Sequence, residues 1–205
     1  MFSIKEDYIC YPTTQEDLNE VMDRYADNYL PGCGGSIDVV HVKWSNCPAE
    51  DVNRAKGKEG FPSLAFEVVT GFDRQILGVS IAHFGTRNDK QIVRSDETIK
   101  LLRNSWYRDV EWMLFDDQGN TKDKTGVYLI CDGGYIWWPE LIYPYKHEPV
   151  SSQKGFFFCK NRKCEKRCGV CLRHHKEEVE DSRPWDPFSR HEVHRESIYC
   201  MLHVA

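Results

Sequence analysis

Two aspartates stand at places where an apolar strand does not normally carry a charge. Asp38 lies inside the run IDVVHV, and Asp132 follows the run VYLIC and precedes two glycines. Burying an unpaired carboxylate costs several kcal/mol or forces it to take up a proton. A divalent metal would compensate such charges, because Mg²⁺ and Mn²⁺ prefer oxygen ligands, and two ions roughly 3.5–4 Å apart support phosphodiester hydrolysis. The structural alternatives are an Asp38 carboxylate tied to a backbone N–H and a turn-forming Asp132.

A second group of residues, nearer the C-terminus, has the composition of a zinc site. Its members recur at spacings of four, three and four residues, which places them on one face of a helix: Cys164, Cys168, Cys171 and His175. Three thiolates on one straight helix do not readily surround a tetrahedral ion. We therefore interpret the cysteines as core residues, since buried cysteine behaves as a small hydrophobe, and keep a zinc-stabilised module as an alternative.

Hydrophobic periodicity and turn signals predict the elements that position these side chains. The segment TTQE resembles a capping box, with Thr13 as N-cap of a helix that ends near Pro31. The other predicted elements are strands at 37–44, 62–69, 76–84 and 127–131, helices at 96–103, 156–180 and 195–203, and polar loops at 45–60 and 116–124. The second and third strands are joined as a hairpin by the turn GFDR.

Composition limits the possible classes of protein. The chain has 205 residues, of which 40% are hydrophobic and 29% charged, as in an ordinary globular domain. No apolar run approaches the ~20 residues of a membrane span, and the N-terminus has acids where a signal peptide is apolar. Nine cysteines without a short secreted framework favour a reducing compartment, the nucleus or cytoplasm, over secretion. The net charge of −5 argues against nucleic-acid binding by bulk charge alone.

The predicted order of elements indicates an α/β fold with a ribonuclease-H-like mixed sheet flanked by helices. In that arrangement the first strand and the strand at 127–131 are parallel neighbours. Ligands of open α/β sheets bind at the carboxyl ends of the strands. We therefore expect the carboxylates of Asp38 and Asp132 to converge.

Four segments in order carry a resemblance to a known family. They are PGCGGSIDVVHVKWSNCP, GKEGFPSLAFEVV, GTRNDKQIV and YLICDGGY. Together they resemble the transposases of PIF/Harbinger-type DNA transposons, in the plant transposon protein branch of the DDE superfamily endonucleases. The similarity extends from about residue 12 to residue 203.

The resemblance implies a DNA endonuclease that uses two Mg²⁺ or Mn²⁺ ions. The family's acids match Asp38, Asp89, Asp132 and, in a helical segment here reading EKRCGV, Glu165. The fold argument selects Asp38, Asp132 and Glu165 as the catalytic set, with Asp89 as an auxiliary metal ligand or a group on the DNA side, whereas the resemblance gives weight to all four. The alternative for Glu165 is a solvated residue in a charged run.

The expected substrate is DNA, and a basic stretch beside Glu165 is a candidate to contact phosphates. We single out Lys163, Lys166, Arg167 and Arg173 in it, with a solvated helix face as the alternative. The resemblance also implies a separate Myb-like DNA-binding partner.

We expect residues 1–205 to form a single DDE-type nuclease domain that lacks the family's N-terminal DNA-binding region and extreme C-terminus. Within the EKRCGV segment, Lys166 and Cys168 stand where the family has arginine and phenylalanine. An inactive transposon-derived domain that binds DNA or protein is therefore the first alternative.

Overall fold

A mixed β-sheet forms the centre of the molecule. The computed structural model describes residue 9, residues 11–115 and residues 119–143. The sheet contains β1 (Cys33–Lys43), β2 (Ser63–Thr70), β3 (Ile76–Val79), β4 (His83–Phe84), β7 (Tyr128–Ile130) and β8 (Leu141–Ile142). Its strand order is β3-β2-β1-β7-β8, and β4 pairs with β2. β1 pairs antiparallel with β2 and parallel with β7, so the predicted α/β fold with a ribonuclease-H-like mixed sheet is confirmed.

The first helix, α1 (Gln15–Ala26), packs on one face of this sheet. Its N-cap is Thr14, one residue beyond the predicted Thr13, and the Thr14 side chain accepts a hydrogen bond from the Asp17 amide. Leu18, Met22 and Tyr25 form the buried stripe of the helix, as their spacing predicts. The helix ends at Ala26, before the predicted stop near residue 31.

The middle of the sheet is buried because β2 has neighbours on both sides. All eight residues of β2 are buried, which agrees with its nearly continuous apolar sequence SLAFEVVT. The predicted hairpin is present, with β2 and β3 joined through residues 71–75. The predicted strand at 76–84 is divided into β3 and β4, and both pair with β2.

Three short helices lie in the connections between the strands. α2 (Val52–Ala55) lies in the loop after β1, α3 (Asp89–Ile92) begins at the N-cap Asn88, and α4 (Glu97–Asn104) begins at the N-cap Asp96. Ile99 and Leu102 of α4 join the core formed by α1 and the sheet. The predicted helix at 96–103 is therefore present with its start and end shifted by one residue.

The prediction of a polar loop at 116–124 is wrong in part. β5 (Glu111–Phe115) pairs antiparallel with β6 (Thr121–Thr125) in a separate two-stranded sheet. All five residues of β6, TKDKT, are exposed, so no alternation of apolar and polar residues marks the strand. The helices predicted at 156–180 and 195–203 lie outside the described residues.

Candidate active site

Asp38 and Asp132 lie at the same level of two neighbouring parallel strands. Ser36 of β1 pairs with Ile130 of β7, and Asp38 and Asp132 each follow two residues later. Asp38 is half-buried in the middle of β1, which continues for five residues beyond it. Asp132 follows β7 after one intervening residue, Cys131, where the chain leaves the strand in a turn. The parallel arrangement therefore puts both side chains at the carboxyl end of β7, where open α/β sheets bind ligands.

Each of these two carboxylates is held by one backbone amide. The Val39 amide donates to Oδ1 of Asp38 at 2.8 Å, and the Gly134 amide donates to Oδ1 of Asp132 at 2.7 Å. These contacts are the structural roles that were the alternatives to metal binding. They orient each carboxylate through Oδ1, and among the described residues no donor forms a hydrogen bond with Oδ2, so both roles are compatible in one side chain.

Asp89, the first residue of α3, meets Asp132 across Gly134. A Cβ placed on Gly134 would lie 2.8 Å from Oδ2 of Asp89 and 2.9 Å from Oδ1 of Asp132. Oδ2 of Asp89 and Oδ1 of Asp132 both lie close to this Cβ position, so the distance between the two oxygens cannot exceed the sum of these two distances. Only a glycine leaves this space open, and the two acids from α3 and the β7 turn therefore form one cluster.

The electrostatics of Asp38 connect it to the same cluster. Burial is the largest cause that raises the pKa of Asp38 from 3.8 to about 6, and the Val39 amide opposes the rise. The negative charges of Asp132 and Asp89 raise the pKa further, while the Lys58 ammonium lowers it. The pKa of Asp38 thus responds to the charges of both other acids. A bound cation would relieve the repulsion among the three carboxylates.

The donor chemistry fits a hard divalent cation. Three carboxylates from β1, α3 and the β7 turn share one region, and two of them have an amide-fixed oxygen beside an open one. Within the described ranges, no group of three or more His, Cys, Asp or Glu side chains is gathered closely enough to hold a metal ion. The described residues alone therefore do not form a closed metal site.

Several residues predicted from the sequence lie outside the described residues. These are Glu165, the basic residues Lys163, Lys166, Arg167 and Arg173, and the cysteine and histidine positions of the zinc alternative, Cys164, Cys168, Cys171 and His175. Their roles stay predictions.

Sequence reasoning missed a second buried carboxyl group close to the cluster. Glu67 of β2 is 1% exposed, and neither of its carboxyl oxygens makes a hydrogen bond of good geometry. Burial raises the pKa of Glu67 from 4.5 to about 9, and the negative charge of Asp96 is the next cause. The signal was present in the sequence, because Glu67 interrupts the apolar run LAFEVV as Asp38 interrupts IDVVHV.

His41 has a structural environment. It is buried, and its Nδ1 lies 3.3 Å from the Ser63 hydroxyl oxygen on the neighbouring strand. Strand alternation puts its side chain on the opposite face of β1 from Asp38. This arrangement gives His41 a packing and hydrogen-bonding role.

Comparison with known proteins gives a family-level match. The family described as plant transposon protein matches residues 6–199. The chain is similar to a protein named "Protein ALP1-like" from Arabidopsis thaliana, with 22% identity over 167 residues. That alignment covers 80% of the chain and 39% of the relative, so the chain spans about two fifths of the length of this curated relative. No solved structure matches the chain. In the part of the chain that the structure describes, no helix is long and apolar enough to cross a membrane.

Proposed function

Because the chain belongs to the plant transposon protein family of PIF/Harbinger-type transposase domains, we propose that it is a divalent-metal-dependent DNA endonuclease of the DDE type. The observation that supports this proposal is the electrostatic influence of Asp89 and Asp132 on Asp38, three acids that come from three separate elements. Carboxylates gathered this way repel one another and weaken the fold unless a cation binds between them.

In this proposal Asp38 and Asp132 hold Mg²⁺ or Mn²⁺ through the oxygens that their backbone amides leave open. Asp89 contributes an auxiliary ligand, and Glu165 completes the site from the C-terminal segment. The pKa of Asp38, raised to about 6 chiefly by burial, still lies below neutral pH. Asp38 is therefore mostly ionised at pH 7 and can act as a ligand without first losing a proton.

The bound ions would supply an activated water molecule and stabilisation of the leaving oxygen during phosphodiester hydrolysis. The protein's own contribution is positioning. The Val39 and Gly134 amides fix one oxygen each of Asp38 and Asp132, so the open oxygens need no large rearrangement. The exposed Lys58 acts electrostatically on Asp38 and offers a positive charge to a nearby phosphate.

Plasmid nicking by the full chain in Mn²⁺ tests the proposal. Wild type should convert supercoiled plasmid to the open circular form, and Asp38→Asn, Asp132→Asn and Glu165→Gln should each abolish the conversion. Asp123→Asn is the matched control, since Asp123 is an exposed acid on β6. This control should nick as fast as wild type.

Each result of the nicking assay has a defined reading. If Glu165→Gln alone retains activity, Glu165 is not part of the site. If Asp38→Asn or Asp132→Asn nicks at the wild-type rate, the proposed site is wrong. A wild-type chain that binds Mn²⁺ and never nicks DNA would overturn the endonuclease proposal.

A second candidate function is an inactive, transposon-derived domain that binds DNA or protein. The observation that favours it is the incomplete ligand shell among the residues described by the structure. DNA binding without Mn²⁺-dependent nicking, unchanged by Asp38→Asn, would support this candidate.

The remaining parts of the proposal concern the setting of the domain. DNA is the proposed substrate, as befits a family of transposon proteins. We propose a nuclear location and a separate Myb-like partner that supplies sequence recognition, because a chain of net charge −5 has little general attraction for DNA. A two-hybrid or pull-down assay with Myb-like proteins of the same organism tests the partner.

A further inference from the structure

A cleft opens beside α3, on the same segment that carries Asp89. It has a volume of about 490 Å³ and is lined by Thr86, Arg87, Gln91 and Arg94. All four residues are exposed, and no carboxylate is among them. The lining therefore concentrates two positive charges and polar groups in a molecule whose overall charge is negative.

The side-chain amide of Gln91 presents its NH₂ group as a hydrogen-bond donor, because its oxygen already accepts a hydrogen bond. Gln91 Oε1 accepts a hydrogen bond from the backbone amide of Asn88 at 3.2 Å, and the backbone amide of Gln91 donates to Asn88 Oδ1 at 3.0 Å. This capping box fixes the side chain through its oxygen. The NH₂ group of Gln91 is left to donate to a ligand.

Arg87 is held in place by a buried histidine. Its Nη1 donates to His83 Nδ1 at 3.1 Å, and His83 is 5% exposed. A guanidinium group has donors and no acceptor, so Nδ1 of His83 must be unprotonated. Burial lowers the pKa of His83, and the positive charge of Arg87 lowers it further. The neutral ring thus orients Arg87 without cancelling its charge.

The cleft lies close along the chain to one of the clustered acids. Arg87 precedes Asp89 by two residues, so their Cα atoms are at most about 7–8 Å apart. Asp89 Oδ2 in turn faces Gly134 and Asp132. Successive phosphates of one DNA strand advance by about 3.4 Å along the helix axis. A strand whose phosphate lies at the acids therefore has its next few phosphates within reach of the cleft.

The segment before Arg87 is fixed by close backbone packing. A Cβ on Gly57 would lie 1.9 Å from the carbonyl oxygen of Gly85, so the two glycines allow these loops to touch. The Thr86 hydroxyl also donates to the Arg54 carbonyl oxygen at 2.7 Å. The loop that carries Lys58 and the wall of the cleft are thus joined.

We infer that this cleft binds backbone phosphates of DNA next to the bond that the acid cluster cleaves. The inference rests on the proposed function for its substrate. Arginine pairs well with phosphate oxygens, because its planar fork of donors can form two parallel charge-assisted hydrogen bonds. Binding at this position would fix the strand relative to Asp89 and Asp132 and would carry no sequence information.

Fluorescence anisotropy with a labelled 20-base-pair DNA duplex tests the inference on the full chain. The affinities of wild type and of the Arg87→Gln/Arg94→Gln variant are measured over a range of NaCl concentrations without divalent metal. Each lost phosphate contact should reduce the slope of log K against log [NaCl] by about 0.9, so the double variant should lose roughly 2 in slope and bind more weakly. The matched control is Arg24→Gln/Arg108→Gln, which removes the same charge outside the cleft and should keep the wild-type slope.

The outcomes separate this inference from the endonuclease proposal. If wild type never nicks DNA but the cleft variant loses its slope, phosphate binding stands and the nuclease fails. If wild type nicks DNA and the cleft variant retains the wild-type slope, the inference is overturned and the nuclease stands. Equal losses of slope in the cleft and control variants would also overturn it, as would no DNA binding by wild type or an effect seen only with an RNA duplex.

The single variant Arg94→Gln tests the cleft without the risk that the variant misfolds. Arg87→Gln removes the hydrogen bond to the buried His83 and can destabilise the fold, whereas Arg94 forms no hydrogen bond or ion pair with its side chain among the described residues. Arg94→Gln should melt like wild type and lose about 0.9 in slope. An unchanged slope in this variant would count against the cleft.

Discussion

Replacing Glu67 by glutamine should stabilise the protein at neutral and alkaline pH. Glu67 is almost fully buried in β2, beside Asp96, and neither carboxyl oxygen makes a hydrogen bond of good geometry. A glutamine side chain has nearly the same shape and carries no charge at any pH. Its NH₂ group could donate to the Asp96 carboxylate, where two carboxylates would repel.

The magnitude follows from the pKa of Glu67, which burial raises from 4.5 to about 9. Because the folded protein holds a proton that the unfolded chain releases, the stabilising effect is fully present below pH 4.5 and is lost as pH rises toward 9. At pH 7 this loss amounts to roughly 3 kcal/mol, at 1.36 kcal/mol for each pH unit above the unfolded pKa. Between pH 5 and pH 8 the wild type should lose roughly 4 kcal/mol through this one group.

The assay is thermal or urea unfolding at pH 5, 6, 7 and 8, with Glu111→Gln as the matched control. Glu111 is an exposed glutamate on β5, so its substitution should leave the pH dependence unchanged. For a chain of this size 1 kcal/mol corresponds to about 2–4 °C in melting temperature. The Glu67→Gln variant should therefore exceed wild type by roughly 10 °C at pH 8 and by much less at pH 5.

The result that would refute this reasoning is a pair of parallel curves. If wild type and Glu67→Gln lose stability equally between pH 5 and pH 8, Glu67 does not hold an extra proton in the folded state. A variant less stable than wild type at every pH would mean that the glutamine amide cannot be accommodated.

Two further predictions concern the acid cluster. Mn²⁺ should raise the melting temperature more at pH 7.5 than at pH 5.5, because the pKa of Asp38 near 6 lets a proton compete with the ion at the lower pH. The Asp38→Asn variant should lose this effect and the Asp123→Asn variant should keep it. A shift in melting temperature that does not depend on pH would contradict the assignment. Gly134→Ala should reduce both the Mn²⁺ response and nicking, because its methyl group would lie 2.8–2.9 Å from oxygens of Asp89 and Asp132 and push them apart. Melting curves with and without Mn²⁺ check this prediction. An unaltered Mn²⁺ response would show that the space beside Gly134 has no role in metal binding.

The sequence predicted the strands that are marked by longer apolar runs, whereas the two-residue strand β8 was not predicted. β1, β2 and β7 are continuous or alternating apolar runs, and the parallel pairing of β1 with β7 follows from their order in the chain. That pairing places Asp38 and Asp132 at corresponding positions, each two residues beyond the paired Ser36 and Ile130. Strand β6 was missed because its sequence, TKDKT, is exposed throughout and has no apolar face to detect.

The environment of a side chain was harder to predict than its position. Asp38 and Glu67 each interrupt an apolar strand, and periodicity gives no means to tell them apart. Their difference arises from tertiary neighbours, since Asp38 has the Val39 amide and Lys58 to oppose the effect of burial. For Glu67 the largest charged influence is Asp96, which lies in a different element and adds to the effect of burial on the pKa, while a hydrogen bond with Tyr135 opposes it. Oxygens of Asp89 and Asp132 likewise lie close to each other beside Gly134, and no local sequence pattern predicts this proximity.

The two buried acids therefore have opposite charge states at neutral pH. The pKa of Asp38 lies near 6, so its carboxylate is ionised and can bind a cation, while the pKa of Glu67 lies near 9, so its carboxyl group is neutral. Environments that push carboxyl pKa values apart are how one fold assigns different roles to identical groups. Asp89 raises the pKa of both residues, so it couples the cluster to the interior of the sheet. A cation that neutralises Asp89 should lower the pKa of Glu67, and by reciprocity a neutral glutamine at position 67 should bind Mn²⁺ with a weaker pH dependence than wild type.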